Sequence, residues 1–200
     1  MTAPDEARRY AAVVLAGGRA ARLDGVDKGS VEHAGRTLLE HVLAAVADAG
    51  DVVVVGDPVP TGRPVRFVRE EPRFGGPVAA LVAGIATLPA AGPDQVAVLA
   101  VDMPLLTRRT VARLRAAAHG RDGAFLVGPD GRRQLAGVLA PDRLGGVLPN
   151  PEEARGMALH RLLARLDLVD VPAEGAEARD VDTWADLRGL ESVDGGATDT

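Results

Sequence analysis

Two glycines, Gly17-Gly18, close the apolar run Val13-Val14-Leu15-Ala16, and Arg19, Arg22 and Lys28 follow closely. Glycines let backbone N–H groups approach phosphate oxygens, and the cations balance phosphate charge. This order therefore suits a strand that runs into a phosphate-binding loop. Lys28 is the one lysine among the 23 Lys and Arg residues. In a chain so biased to arginine, a lone ammonium marks a place where a compact, mobile charge is wanted in preference to a planar fork. The stretch is not a Walker loop, since no Gly-Lys-Ser/Thr follows the glycines. Nor is it a dinucleotide fingerprint, since the third glycine and the distal ribose acid are out of place. The plainer reading is a strand-to-helix turn that needs glycine for its backbone angles, and the clustered cations weigh against it.

Carboxylates form the second group. Asp102 ends the apolar run 95–101 and precedes Met103-Pro104. It can bind a hard cation such as Mg²⁺ through oxygen, or cap the turn that follows. Beside a phosphate loop the metal role is favoured, because Mg²⁺ takes one or two carboxylates plus substrate phosphates. Asp180-Val181-Asp182 places two carboxylates on opposite faces of a strand end. Asp182 then either meets the same edge as a second metal ligand or caps the helix at Trp184. Glu70-Glu71 precedes the turn Gly75-Gly76-Pro77, where a carboxylate can accept hydrogen bonds from a nucleobase, although exposed glutamates commonly meet only water.

These side chains need a frame that brings them to one place. Residues 10–16 read as a first buried strand, and 51–56 as a second, ending at Gly56-Asp57-Pro58. Between them Thr37-Leu38-Leu39-Glu40 has capping-box spacing and opens a helix that Gly50 closes. Residues 65–68 fit a short third strand, Pro77 starts a largely buried helix over 78–88, and 95–101 form the next strand. Thr107 caps a helix reaching 118, and 123–127 resume the sheet. The alternation predicts an α/β fold with a mostly parallel sheet and helices on both faces. Ligands bind beyond the carboxyl ends of such strands, the edge that holds Gly17, Gly56 and Asp102. Further on, 134–139, 168–171 and 178–181 read as strands, 156–166 as an amphipathic helix, and Thr183-Trp184-Ala185-Asp186 as a capping box. One domain is expected over 10–190, with disordered tails at 1–9 and 191–200.

Composition narrows the functions. With 200 residues and a net charge of −5, the chain does not suit a general nucleic-acid binder. Aromatic residues are 2 % of the total, too few for base-stacking platforms along a strand. Cysteine is absent, so neither disulfides nor thiolate metal sites are available. Without a signal pattern or an apolar run long enough to span a bilayer, a cytoplasmic protein with no membrane partner is expected. His33, His41, His119 and His160 lack metal-ligand spacing, and Ser30 lacks a nucleophile-elbow context. Arg132-Arg133 and Arg155 either bind anionic groups of a second substrate or are simply solvated.

The residues Leu15-Ala16-Gly17-Gly18, Arg22, Gly25-Val26-Asp27-Lys28, Gly75-Gly76-Pro77, Ala100-Val101-Asp102-Met103-Pro104 and Asp180-Val181-Asp182-Thr183 resemble the signature of the MobA-like nucleotidyltransferases. The molybdenum cofactor guanylyltransferases are the most similar branch, and the likeness runs from residue 13 to about 190. It implies a single-domain, Rossmann-like three-layer sandwich that transfers GMP from GTP to molybdopterin with Mg²⁺ and releases pyrophosphate. Other proteins of molybdenum cofactor biosynthesis, or acceptor proteins, are the implied partners. By the same resemblance Leu15, Ala16 and Gly17 contact the nucleotide; with Asp102 and the nucleotide-binding candidates Gly76 and Pro77 on the same sheet edge, the stretch 17–28 becomes one wall of its site. Gly17 and Gly18 hold phosphates through backbone N–H groups, and Lys28 and Arg22 balance phosphoryl charge. Asp102 binds the metal, with Asp182 as the second candidate, and Glu71 stands where the family usually has an aspartate. The chain departs from the family pattern at Leu23-Asp24, at Gly56 in place of a frequent asparagine, and at Asp180 and Asp182 in place of two asparagines.

Overall fold

The computed structural model describes residues 10–17, 27–89 and 92–194. Gly18 and Arg22, with Arg19 and the Leu23-Asp24-Gly25 departure, lie outside the described residues, as do 1–9 and 195–200.

Strand β1 (Tyr10–Leu15) is buried at every position. Ala12 and Val14 pack with Leu38, Leu39, Val42 and Leu114 on one face of the sheet, and Val13 and Leu15 pack with Val78, Leu81 and Leu162 on the other. Successive strand side chains point to opposite faces, so two helical layers require an unbroken apolar strand. A 3-10 turn (Lys28–Ser30) and a small antiparallel hairpin, β2 (Glu32–His33) with β3 (Arg36–Thr37), lead into α1 (Leu38–Ala45). Thr37 caps α1 by accepting from the Glu40 N–H. The capping box stays half-made, because the Glu40 carboxylate instead accepts from the Gly62 N–H at 2.7 Å. Helix α1 also ends before the predicted Gly50, whose N–H donates to the Tyr10 carbonyl at 3.0 Å.

Strands β4 (Asp51–Val55) and β5 (Arg66–Val68) are followed by α2 (Pro77–Ala86), β6 (Gln95–Ala100) and α3 (Arg108–Ala117). Leu15 pairs with Val55 of β4 and with Ala100 of β6. The carboxyl ends of three parallel strands are therefore flush. The ladder continues past them through Ala16 N–H to Val55, Gly56 N–H to Val68 and Val101 N–H to Leu15. Helix α2 lies close on this edge: a Cβ at Gly84 would stand 2.5 Å from Val13 Cγ1.

Beyond β6 the chain makes β7 (Gly123–Val127), β8 (Arg133–Leu139), the one-turn helices α4 (Pro141–Leu144), α5 (Pro151–Ala154) and α6 (Leu159–Leu163), then β9 (Leu168–Pro172) and α7 (Trp184–Asp194). The sheet order is β5-β4-β1-β6-β8-β7-β9. Strand β8 runs antiparallel to both neighbours, and the other pairings are parallel. The mostly parallel three-layer fold is as the alternation predicts. Two later expectations are corrected. The predicted 156–166 helix shrinks to α6, since Gly156 takes a left-handed φ of 69°. The predicted strand at 178–181 is irregular chain, tied to the sheet by the Val181 N–H on the Asp102 carbonyl at 2.8 Å. Helix α7 runs into the stretch read as a tail. Among the described residues no helix is long and apolar enough to cross a membrane.

Candidate functional site

At the flush strand ends Lys28 meets two carboxylates. Its Nζ lies 3.0 Å from Asp102 Oδ2 and 2.6 Å from Asp182 Oδ1. The lysine is held by its own turn: the Asp27 carboxylate accepts from the Gly29 N–H and the Ser30 hydroxyl, each at 3.3 Å. Asp102 stands two residues past the end of β6, and its carbonyl takes the Val181 N–H, so one backbone bond brings the 180–182 segment beside it. Asp182 does not cap α7; its carboxylate faces the Lys28 ammonium at the strand edge. Thr183 and Asp186 form the reciprocal cap of α7, the Thr183 N–H donating to Asp186 and the Asp186 N–H to the Thr183 hydroxyl. Asp182 is thereby left to the ammonium.

Charge sets the titration of this cluster. Burial pulls the Lys28 pKa down, but the Asp182 hydrogen bond and the Asp102 and Asp182 charges outweigh it, and the net shift is upward. Lys28 is a cation throughout the neutral range. Asp180 is also shifted upward, which for a carboxylate disfavours the charge: burial, then the charges of Asp182, Asp102 and Asp186, raise its pKa. Among the described residues, three aspartates thus lie near the Lys28 ammonium.

Beside Lys28 opens a cleft of about 430 Å³, within the ~300–1,000 Å³ usual for small-molecule sites. Leu15, Ala100 and Leu135 give it an apolar floor, and Gly17, Lys28 and Asp102 its charged end. Gly76 and Pro77 form the facing wall. Gly76 has φ 93°, a conformation that suits glycine, and Pro77 begins α2 at its first turn. Ala16 lies just beneath, buried, and Gly56 backs it: a Cβ there would stand 3.1 Å from the Ala16 Cβ. An asparagine at position 56 does not fit that spacing without movement of the loop.

The structure thus brings Leu15, Gly17, Lys28, Gly76, Pro77 and Asp102 around one cleft, with Asp182 on its lysine. It does not bring Glu71 there. Glu71 is exposed, and its neighbour Glu70 lines the cleft while accepting from the Phe74 N–H at 3.0 Å. Adjacent residues in extended chain face opposite ways, so the Glu-Glu pair in the sequence carries no sign of which one turns inward. Phe74 also lines the cleft, 56 % exposed and with φ 61°. Its signal was only a lone aromatic before a glycine pair. The rim is fastened by Asp57, which binds Arg69 at 2.5 Å and Arg73 at 2.8 Å. Arg133 is paired with Asp170 at 2.5 Å, and with Arg132, Arg179 and His160 it lines a broader cleft adjoining Asp180.

A metal would find two carboxylate oxygens already directed at one cation, the Lys28 ammonium. Hard oxygen donors of this kind suit a divalent ion completed by phosphate oxygens. Among the described residues no group of three or more His, Cys, Asp or Glu could hold a metal unaided.

The sequence matches the MobA-like NTP transferase domain over residues 12–171. It is 33 % identical over 196 residues to a molybdenum cofactor guanylyltransferase of Acidiphilium cryptum, covering 90 % of this chain and 93 % of that protein. Among solved structures, the molybdopterin-guanine dinucleotide biosynthesis protein A of Archaeoglobus fulgidus superimposes with a TM-score of 0.69 at 21 % identity, over 92 % of this chain and 98 % of that one. The manganese complex of Rv0371c from Mycobacterium tuberculosis gives a TM-score of 0.62 at 18 % identity, over 91 % and 97 % of the two chains.

Proposed function

The chain belongs to the MobA-like NTP transferase family, and from that premise we propose that it transfers GMP from GTP to molybdopterin, releasing pyrophosphate. The observation that carries this reading is the convergence of Lys28, Asp102 and Asp182 at the mouth of a cleft walled by Gly17 and Gly76-Pro77. In the reaction an oxygen of the acceptor's terminal phosphate attacks the α-phosphorus of GTP. The bond from that phosphorus to the bridging oxygen breaks, and pyrophosphate leaves with the electron pair. The attacking phosphate is already an anion, so no general base is required. Such chemistry depends mostly on positioning and on neutralising charge.

Each residue has a part in that scheme. The Leu15 and Ala100 floor and the Gly76-Pro77 wall hold the nucleoside, and the exposed Phe74 ring gives the purine a face to stack on. Glu70 takes the base-recognition role expected of Glu71. Gly17 leaves room for phosphate against the strand end, and Lys28 balances charge that builds on the transferring phosphoryl oxygens. Mg²⁺ is the ion we propose for Asp102 and Asp182, where it would neutralise phosphate oxygens. The acceptor is placed on the Asp180 side, where Arg132 and Arg133 offer partners for its phosphate.

The test is pyrophosphate release by the purified protein with Mg²⁺ and GTP, CTP or UTP in turn, with and without molybdopterin. Release is expected with GTP and only in the presence of the pterin. Release with CTP would assign cytidylyl transfer instead, and GTP binding with no release under any pairing would make the chain a non-catalytic nucleotide-binding protein.

A further inference from the structure

Between β9 and α7 the chain must travel from the end of the sheet to Asp102, and it does so over residues 173–183 without regular structure. The two ends of this crossing are tied by backbone bonds, Ala173 N–H to the Val127 carbonyl at 2.9 Å and Val181 N–H to the Asp102 carbonyl at 2.8 Å. Its middle is held by a side chain. Glu177 is 8 % exposed, and its carboxylate accepts from the Thr110 hydroxyl at 2.5 Å, from Arg113 Nη1 at 2.7 Å and from the Glu174 N–H at 2.8 Å. Thr110 is fully buried in the first turn of α3. Arg113, one turn further along α3, also binds the Glu174 carboxylate at 3.3 Å and donates to the Pro172 carbonyl. Burial alone would raise the Glu177 pKa, but the Thr110, Glu174 N–H and Arg113 bonds outweigh it and lower it, so Glu177 is a carboxylate at neutral pH.

A buried charge is an expensive way to fasten a loop, because apolar groups of the same shape often hold one as well at no desolvation cost. What a carboxylate with three aimed donors adds is direction: the loop fits α3 in one register. Asp180 and Asp182 follow within five residues of Glu177, on the same short irregular stretch. We propose that Glu177, gripped by Thr110 and Arg113, is a positioning residue that sets Asp180 and Asp182 against Asp102 and Lys28. The proposal rests on the reading of Asp182 as part of the transfer site. It assigns to α3, which contributes no residue to the cleft, the task of holding half of the acidic cluster in place.

The experiment compares wild type with Glu177→Gln and, as a milder variant, Arg113→Ala, in the full chain. Amide hydrogen exchange at Val181 is expected to quicken about tenfold or more in Glu177→Gln, while the β1 and β6 amides keep their protection. In parallel, kcat for GMP transfer should fall about tenfold to a hundredfold and the Mg²⁺ concentration for half-maximal rate should rise, with KM for GTP within about threefold of wild type, the range expected for residues that orient ligands. Arg113→Ala should show the same pattern with smaller amplitude. Unchanged Val181 exchange would overturn the clamp. So would a uniform loss of protection with kcat and metal demand intact, since that marks a merely structural contact. If wild type proves inactive in transfer, the proposed function fails, while the Val181 exchange still decides whether Glu177 holds this segment.

Discussion

Lys28 Nζ stands 2.6 Å from Asp182 Oδ1 across 154 positions of sequence, and 3.0 Å from Asp102 Oδ2 across 74. The ammonium occupies the point on which both carboxylates converge. A divalent ion held by Asp102 and Asp182 would have to share or replace the same contacts, and Lys28, its turn capped by Asp27, would then be available to phosphate.

Lys28→Ala is expected to lower kcat by about a hundredfold or more, as loss of a partner for transition-state charge does. Near-normal GMP transfer by that variant would remove Lys28 from the mechanism. The ion pairs also have a pH signature. Since the folded-state pKa of Lys28 is raised, its stabilisation is fully present below the unfolded value and fades as pH climbs through the folded one. The difference in Tm between wild type and Lys28→Met should be constant from pH 7 to 9 and should shrink only above about pH 10.4, the ordinary lysine value.

Asp102→Asn and Asp182→Asn should both raise the Mg²⁺ requirement. Asp102 is the more enclosed of the two, with 25 % side-chain exposure against 47 % for Asp182. It should therefore cost more, about a hundredfold in kcat against about tenfold, with partial recovery at high Mg²⁺. A metal titration of activity identical to wild type in either variant would refute that ligand.

Asp180 gives the opposite stability effect. Its folded pKa is raised by burial and by the charges of Asp182, Asp102 and Asp186, so its ionised form destabilises the fold at neutral pH and its protonated form does not. Asp180→Asn should raise Tm at pH 7, and the gain should vanish near pH 3, where the carboxyl is protonated folded or unfolded. A gain that persists at pH 3 would mean the charge is not its cause.

Phe74→Ala tests the nucleobase face. Stacking of a base on an aromatic ring contributes about 1–3 kcal/mol, so KM for GTP should rise about tenfold or more with kcat little changed. An unaltered KM would place the purine elsewhere in the cleft.

Gly84→Ala sets two effects against each other. Alanine gains about 1 kcal/mol over glycine within a helix, yet its Cβ would lie 2.5 Å from Val13 Cγ1 and 3.1 Å from Val55 Cγ2. Overpacking of a filled core costs about 1–3 kcal/mol. Net destabilisation is expected in denaturant unfolding, together with a higher KM for GTP, because α2 carries Pro77 away from the cleft as it shifts. Net stabilisation would show that α2 can ride up without cost.

Local pattern was enough wherever a residue's role follows from its immediate neighbours. The apolar runs of β1 and of β6 after Gln95, the Pro77 start of α2, the Thr107 and Thr183 caps and the lone Lys28 are all read directly from sequence, because periodicity, proline geometry and capping chemistry act over a few residues. They place Gly17, Gly76 and Asp102 on one sheet edge. Tertiary structure alone decided the rest. A buried strand has the same composition in either direction, so β8 inserts antiparallel between β6 and β7 with no mark in its residues, the Phe125 ring filling the space that Gly137 leaves. Glu70 rather than Glu71 turns to the cleft through a bond to the Phe74 N–H. Asp182 reaches Lys28 because Val181 is tied to Asp102 and Glu177 to α3. Each of these depends on a partner far away along the chain, and a contact between distant residues has no local energy to leave in the sequence.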